Sequence, residues 1–445
     1  MSFENHEWRV FELNALCTVT DCQHKTAPVV DYKTKFRMLR TTNIRNGRIN
    51  SDDARYVTEE TYEAWSVRGK LVEDDVILTR EAPMGEVGII KSSNEKFFLG
   101  QRMLQLKAKT DVILPYFLYY SLLAPEVQNQ IKMHEGTGSV VSNIRIPALK
   151  KFKLKVPALK TQATVSRILR LIDDKIDLNY AINKNLEEMA QALFKRWFVD
   201  FEFPNENGEP YKSSGGEFEE SELGSIPKGW KVNKLGNLGD FKNGINYDRD
   251  QSGANEYQII NVKDIVRSNY LIQEELATLQ IEEQKAMPYL VRKNDIIIAR
   301  SAQPGESIFC LNEVPNVIHS GFSIRFRPND ATQAYYLHSV IQLAKSNLDQ
   351  YSNGTIFKNV NQQILGSYLV LVPRDSVVML FNRIIEPMVQ AISKKTDETR
   401  QLTDTRDTLL PKLMAGEIRV PVEQEYTQVP DLPMAAENKE HYSTT

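Results

Sequence analysis

The 445-residue chain has three cysteines, Cys17, Cys22 and Cys310. That is too few for a disulfide framework, and none of them pairs with a second Cys or His at zinc-site spacing. A reducing, cytoplasmic setting is therefore expected. The amino terminus, MSFENHEWRVFEL, shows no basic stretch leading into an apolar run, and nowhere do eighteen apolar residues follow one another, so neither secretion nor membrane spanning is expected. Catalytic signatures are missing as well. The string nearest to a phosphate-cradling loop, GEVGIIKSS (85–93), has the wrong glycine spacing. No Asn/Asp-Pro-Pro-aromatic loop of an amino-methyltransferase occurs; the closest match, DLNY (177–180), lacks both prolines and falls inside a helical stretch. EEQK (282–285) holds half of a metal-nuclease pattern with no Pro-Asp before it, and reads as a solvated helix face. His6, His24, His134, His319, His338 and His441 are scattered without a metal or triad pattern. The chain is accordingly expected to be non-catalytic, with no metal and no cofactor of its own.

What is present is ordinary globular material: 41% hydrophobic and 25% charged residues, in a length that suggests two to four domains. The net charge of −3 hides its distribution. Residues 204–224 carry six acidic side chains against one basic, and residues 421–445 carry five against one. The remainder is mildly basic, compatible with a nucleic-acid partner without requiring one.

The chain contains one design twice. Trp8 in EWRVFELNAL and Trp230 in GWKVNKLGNL stand at an offset of 222, and LVEDDVILTREAPMGEVGII (71–90) parallels LVRKNDIIIARSAQPGESIF (290–309). Gly138, Asn143 and Pro157 recur as Gly354, Asn359 and Pro373 at an offset of 216, which continues from SRILRLIDDKI into NRIIEPMVQAI. Each repeat opens with short β-branched runs such as DDVILT and NDIIIAR, expected to form a strand-rich domain with some helix, for instance over 114–133.

Each repeat closes differently. Residues 161–199 contain neither Pro nor Gly, and Val165, Ile172, Asn179, Leu186 and Leu193 recur every seventh position, flanked by Ile168/Leu169, Ile176, Ile182 and Met189. That is a heptad seam on a helix roughly 60 Å long. Its counterparts in the second repeat, at the same offset of 216, are Phe381, Met388, Lys395, Leu402 and Leu409. Both seams place a polar residue third, a device that fixes register. Two matched apolar seams in one chain bury each other most simply, antiparallel because the second domain must bridge the ends. Pro387 is expected to kink or interrupt the second helix.

The expected organisation is thus an α+β chain with a pseudo-two-fold internal repeat. Domain 1 covers 1–157, a spacer helix 158–203, a polar linker 204–222, domain 2 covers 223–373, a second spacer helix 374–420, and a mobile tail 421–445. Candidate functional residues lie in polar, Gly-bearing loops at matching places in the two repeats. In the first they are Arg80, Gln101, Arg102, Ser139, Asn143 and Arg145; in the second, Arg300, Ser301, Gln303, Lys358 and Asn359. Their side chains suit base edges and phosphates. Arg80 and Arg300 follow buried strands, where an arginine either pairs with a carboxylate or reaches a guanine edge.

The junction ELGSIPKGWKVNKLGNL (222–238) and the close DTLLPKLMAGEIRV (407–420) resemble the specificity subunit of type I restriction-modification systems. MAQALFKRWFVDFE (189–202) is similar to that family's central conserved region, and LTREAPMGEVGII with LGQRMLQLK to its recognition-domain core. The resemblance spans residues 6–420. It implies a non-catalytic reader of double-stranded DNA, with two target recognition domains held apart by two antiparallel coiled-coil helices and each reading one half of a split site. It implies partners as well: modification subunits that methylate adenine with S-adenosylmethionine, and motor-nuclease restriction subunits that use ATP and Mg. The first domain departs from the family pattern, keeping Trp8 without L-G-x-I-P and carrying TDCQHKTAP after its first strands. The rival readings are an unrecognised nucleic-acid-modifying enzyme and a coiled-coil scaffold with no DNA role.

Overall fold

The structure, a computed structural model, describes residues 8–133, 143–247, 252–273, 276–351 and 360–421, without the side chains of 346–351. Ser139, Lys358, Asn359 and the tail beyond residue 421 lie outside the described residues. The chain divides into two compact units, one holding residues up to Asp177 together with those from Thr399 onward, the other Leu178–Glu398. Neither unit is one repeat: each takes a strand-rich domain and a half of both long helices.

In the first unit, β1 (Arg9–Glu12), β2 (Cys17–Asp21), β3 (Phe36–Leu39), β4 (Val76–Thr79), β5 (Val87–Ile89), β6 (Lys96–Leu99) and β7 (Met103–Ala108) precede α1 (Pro115–Leu123), α2 (Pro125–Lys132) and β8 (Lys153–Val156). The helix α3 (Leu159–Phe194) follows, ending in a π-helical turn over Lys195–Val199. Strands β2, β7, β4 and β5 form an antiparallel sheet in that order, β3 pairs with β6 in parallel, and β1 pairs with β8, Arg9 opposite Val156. The run VILT is buried on both faces, which is why it reads as continuous β-branched and apolar residues rather than as an alternation. α1 and α2 break between Ala124 and Pro125 because a residue before proline is held out of the helical region; Ala124 has φ −64° and ψ 145°.

The second unit repeats this plan. After β9 (Phe218–Ser221) and β10 (Gly224–Pro227) come β11 (Lys231–Lys234), β12 (Gly239–Asn243), β13 (Asn255–Ile260), β14 (Ala277–Ile281), β15 (Ile296–Ala299), β16 (Ser307–Phe309), β17 (Val317–His319) and β18 (Ser323–Pro328). They lead to α4 (Ala334–Tyr351), β19 (Leu369–Val372) and α5 (Asp375–Ala415). The sheet order β12, β18, β15, β16 matches β2, β7, β4, β5, and the parallel β13–β17 and antiparallel β11–β19 pairs match β3–β6 and β1–β8. Even the turn before the central strand recurs. Asp74 and Asn294 adopt φ 71° and 70°, and the buried Asp75 and Asp295 each accept a backbone N–H three residues back, from Val72 at 2.9 Å and Arg292 at 2.7 Å.

Three expectations need correction. The polar linker expected over 204–222 is a folded segment: Tyr211 stacks on Phe203 at 4.6 Å, its hydroxyl donates to the Glu217 carbonyl at 2.6 Å, Glu202 holds Ser213, and β9 pairs with β10. Acidic composition suggests mobility, but the aromatics between the charges fold the connection. Pro387 does not interrupt α5, which continues from Asp375 to Ala415. An interior proline costs about 3 kcal/mol, and the burial of Phe381, Ile385, Val389 and Ile392 around it offsets that loss. The most buried row of α5 is Ile385, Ile392, Thr399, Arg406 and Leu413, while Met388, Lys395, Leu402 and Leu409 flank it half-buried and Phe381 is fully buried. In α3, Val165 and Asn179 are buried, Ile172, Leu186 and Leu193 half-buried, and Met189 is 54% exposed, so Leu169, Ile176, Asn183 and Ala190 make the second row.

The two long helices run antiparallel in the second unit, where Asn179 donates to Glu398 and Asn183 to Thr396, both at 3.2 Å. Lys395 reaches the same Glu398 oxygen at 2.7 Å, so both polar seam residues share one carboxylate. In the first unit Arg406 pairs with Asp173 at 3.0 Å, and Tyr120 donates to the other Asp173 oxygen at 2.8 Å. Arg48 adds bonds to Asp173 and Asp177, the latter also held by Lys91. Burial opposes charge on Asp177 and Lys91, but the direct bonds to their partners prevail, lowering Asp177 and raising Lys91.

Candidate nucleic-acid interface

In the first unit one edge of the four-stranded sheet gathers the end of β2, the end of β4, the start of β5 and the start of β7. The loop after β4 carries Arg80. Its backbone N–H donates to the Arg102 carbonyl at 2.8 Å and its carbonyl accepts from Ile144 at 3.2 Å, so the segments holding Gln101, Arg102, Asn143 and Arg145 converge on it. The Arg80 side chain is spoken for: Nη1 meets both Asp21 oxygens at 3.0 and 3.1 Å and Nε donates to the Ile144 carbonyl at 3.2 Å. Of the two roles open to an arginine here, the structure shows the carboxylate pair.

The other residues at this edge are more accessible. Arg102 adopts φ 69°, and its half-exposed guanidinium rests on Glu81 at 3.3 Å. Gln101 donates to Thr26 at 3.3 Å, Arg145 is exposed, and Asn143 is half-buried with its Oδ1 unpartnered among the described residues. Two of the edge carboxylates are paired locally, Asp21 with Arg80 and Glu81 with Arg102, which lessens their repulsion of an approaching polyanion.

The second unit builds the same edge from the ends of β12 and β15 and the starts of β16 and β18. The Arg300 N–H donates to the Phe322 carbonyl at 2.9 Å, and its carbonyl accepts from Val360 at 3.3 Å, matching the Arg80 bonds one for one. Its side chain differs. Arg300 is half-buried with one long side-chain contact among the described residues, Nη1 to the Gly321 carbonyl at 3.3 Å, beside half-buried Ser301 and exposed Gln303. At the base of the loop His319 is fully buried against Ser323 at 3.1 Å. Burial pushes its pKa down to about 3, with Arg325, Lys242 and Arg327 acting the same way, so the ring is neutral and structural.

Against known proteins, a family model described as the type I restriction modification DNA specificity domain matches residues 5–188 and again 227–397. The chain belongs to that specificity-domain family. It is 25% identical over 375 residues to the type I restriction enzyme MjaIX specificity subunit of Methanocaldococcus jannaschii, with 82% of each chain covered. It is 22% identical over 392 residues to the HindI specificity subunit of Haemophilus influenzae, covering 75% of this chain and 84% of that one. The crystal structure of the type I restriction-modification S subunit from M. genitalium shares the fold, with TM-score 0.53 and 16% identity over 92% of this chain and 96% of that chain.

Within this specificity-family fold one edge residue, Phe322, is not singled out by sequence reasoning. It stands where the first repeat has Arg102, and it is 63% exposed at the sheet edge beside Arg300. The signal for it is an apolar residue following Gly321 in an otherwise polar loop. Among the described residues no helix is long and apolar enough to cross a membrane.

Proposed function

We propose that the chain is the specificity subunit of a type I restriction-modification complex, a non-catalytic reader of a bipartite double-stranded DNA target. The observation that carries this reading is the double match of the specificity-domain family to the two repeats. It is supported by the two sheet edges, alike in backbone bonding and different in side chains, as two readers of different half-sites require. Arg102, Gln101, Asn143 and Arg145 face one half-site, to which Ser139 is also assigned; Arg300, Ser301, Gln303 and Phe322 face the other, to which Lys358 and Asn359 are also assigned. Modification subunits, using S-adenosylmethionine, methylate adenine at sites this chain selects, and restriction subunits, using ATP and Mg, join them.

Co-expression with a modification subunit and genome-wide mapping of methylated adenines tests the proposal. The expected pattern is a split motif in which Arg102→Ala relaxes one half and Gln303→Ala the other, since each hydrogen-bonded base edge is worth about 1–3 kcal/mol of discrimination. Methylation without a split motif, or ATPase or nuclease turnover by this chain alone, would overturn it.

A further inference from the structure

The second unit holds a cavity of about 430 Å³ lined by the distal half of α3, by α4 and by α5, a volume suited to a small organic group. The internal repeat shows where it comes from. At the repeat offset of 216 the lining residues Ala190 and Val389 correspond to Arg406 and Asp173, and the alignment of Tyr335 and Leu337 with Tyr116 and Leu118 sets Ser339 where the first unit has Tyr120. In the first unit Arg406, Asp173 and Tyr120 form a bonded, largely buried cluster. In the second unit each of the three is cut back, Arg to Ala, Asp to Val and Tyr to Ser, and the volume they would fill is open.

The titratable groups on the wall of the opening are Glu187, Lys195, Tyr270, Tyr335 and His338, of which Glu187 is the one anion. Glu187 is half-buried in it and accepts from the Asn269 amide; burial raises its carboxyl, against the pull of that bond. His338 is 4% exposed, and its Nε2 has no hydrogen-bond partner among the described residues. Burial also lowers the pKa of the ring to about 4, so it carries no charge at neutral pH; that nitrogen is itself enclosed, and the ring, stacked on Phe309, forms a neutral part of the wall. Lys195, the only cation among the lining residues described, is engaged by Asp200 at 2.7 and 2.8 Å. Phe194, Ile385 and Val389 supply apolar walls. A carboxylate set beside apolar walls, with its neighbouring lysine already paired, calls for a planar donor fork on an apolar body.

We propose that this cavity is a binding site for a guanidinium or amidinium group carried on an apolar body, the group that Arg406 supplies from within the chain at the counterpart position of the first unit. This inference does not depend on the DNA-reading role. It is tested on the full-length chain by calorimetric titration with benzamidine, with benzamide as the neutral isostere. Saturable benzamidine binding, at least about tenfold tighter than benzamide and weakened by about the same factor in Glu187→Gln, is expected. The double variant Ala190→Arg with Val389→Asp, which restores the first unit's pair, is expected to abolish binding and raise the Tm. Benzamide binding as tightly, unchanged affinity in Glu187→Gln, or no binding at millimolar benzamidine overturns the proposal. Purified modification subunit separates the two sources of such a group: displacement of the probe assigns the site to a partner's arginine side chain, and retention assigns it to a free small molecule.

Discussion

Arg80 and Arg102 are joined by one backbone hydrogen bond of 2.8 Å, yet their side chains serve different ends. Arg80 braces β2 against the Ile144 segment through Asp21, while Arg102 projects outward in a left-handed conformation. Replacing Asp21 with Ala should therefore destabilise the first unit by about 1–3 kcal/mol, because it strands a largely buried guanidinium. Chemical denaturation reads that loss, and an unchanged midpoint would show that the pair contributes nothing. The two buried histidines of the second unit give a pH signature. Folded values near 3 for His319 and 4 for His338 lie below the unfolded value of about 6.5, so between pH 4 and 6.5 the unfolded chain binds more protons. Stability is full above that window and falls as the pH drops through it. His338→Gln should flatten the dependence of Tm on pH by an amount on the order of 3 kcal/mol over the window; an unaltered slope would mean the ring titrates normally.

At the scale of elements, the helices owe their register to polar contacts more than to the apolar heptads. Arg406 and Asp173 share one bond of 3.0 Å in the first unit, and Asn179, Lys395 and Glu398 form a separate polar layer in the second. Burial disfavours the charge on Arg406, but Asp173 and Asp407 raise its pKa on balance, so the guanidinium stays charged. Arg406→Ala should cost about 3–5 kcal/mol because Asp173 is left buried with the neutral Tyr120 hydroxyl and a longer contact from Arg48 at 3.4 Å. The double variant Arg406→Leu with Asp173→Leu should recover most of that loss, since apolar replacement of both partners removes the desolvation penalty along with the attraction. Equal losses in single and double variants, measured by urea titration, would rule out a coupled pair.

At the scale of the molecule, each long helix begins on one strand-rich domain and ends on the other. Val165 and Leu169 of α3 join the core of the first unit, and Phe194, Trp197 and Phe198 at its far end join that of the second around Trp230. α5 makes the reverse journey: Phe381 and Ile385 pack in the second unit, while Leu410, Leu413 and Met414 pack in the first, where Gly416, at φ 76°, leaves just enough room for the Trp8 ring. A fragment ending near Pro204 lacks the α5 residues that cover its Trp8 side and carries an unused aromatic end on α3. Two copies can supply each other's missing helix, an isologous arrangement. The fragment should sediment as a dimer at micromolar concentration and, with modification subunits, direct methylation to a palindromic split site. A folded monomer would show that the helix ends do not substitute for one another.

The sequence alone determined the duplication, the strand-rich halves and the existence of two long helices, because strand and helix periodicities are local and a constant offset of 216 survives wherever the backbone is kept. It also carried the loops that form the sheet edges. Only the tertiary structure decided what each side chain does there. Whether Arg80 meets Asp21 or solvent depends on residues 59 positions apart, and sequence spacing holds no record of that approach. The helix seam is offset for the same reason: Thr399 and Arg406 do not read as core residues until Asp173 and the neighbouring helix surround them. The folding of 204–222 and the cavity beside Glu187 are likewise products of packing, one from aromatics closing over a charged segment, the other from three side chains shortened at places that meet only in the fold.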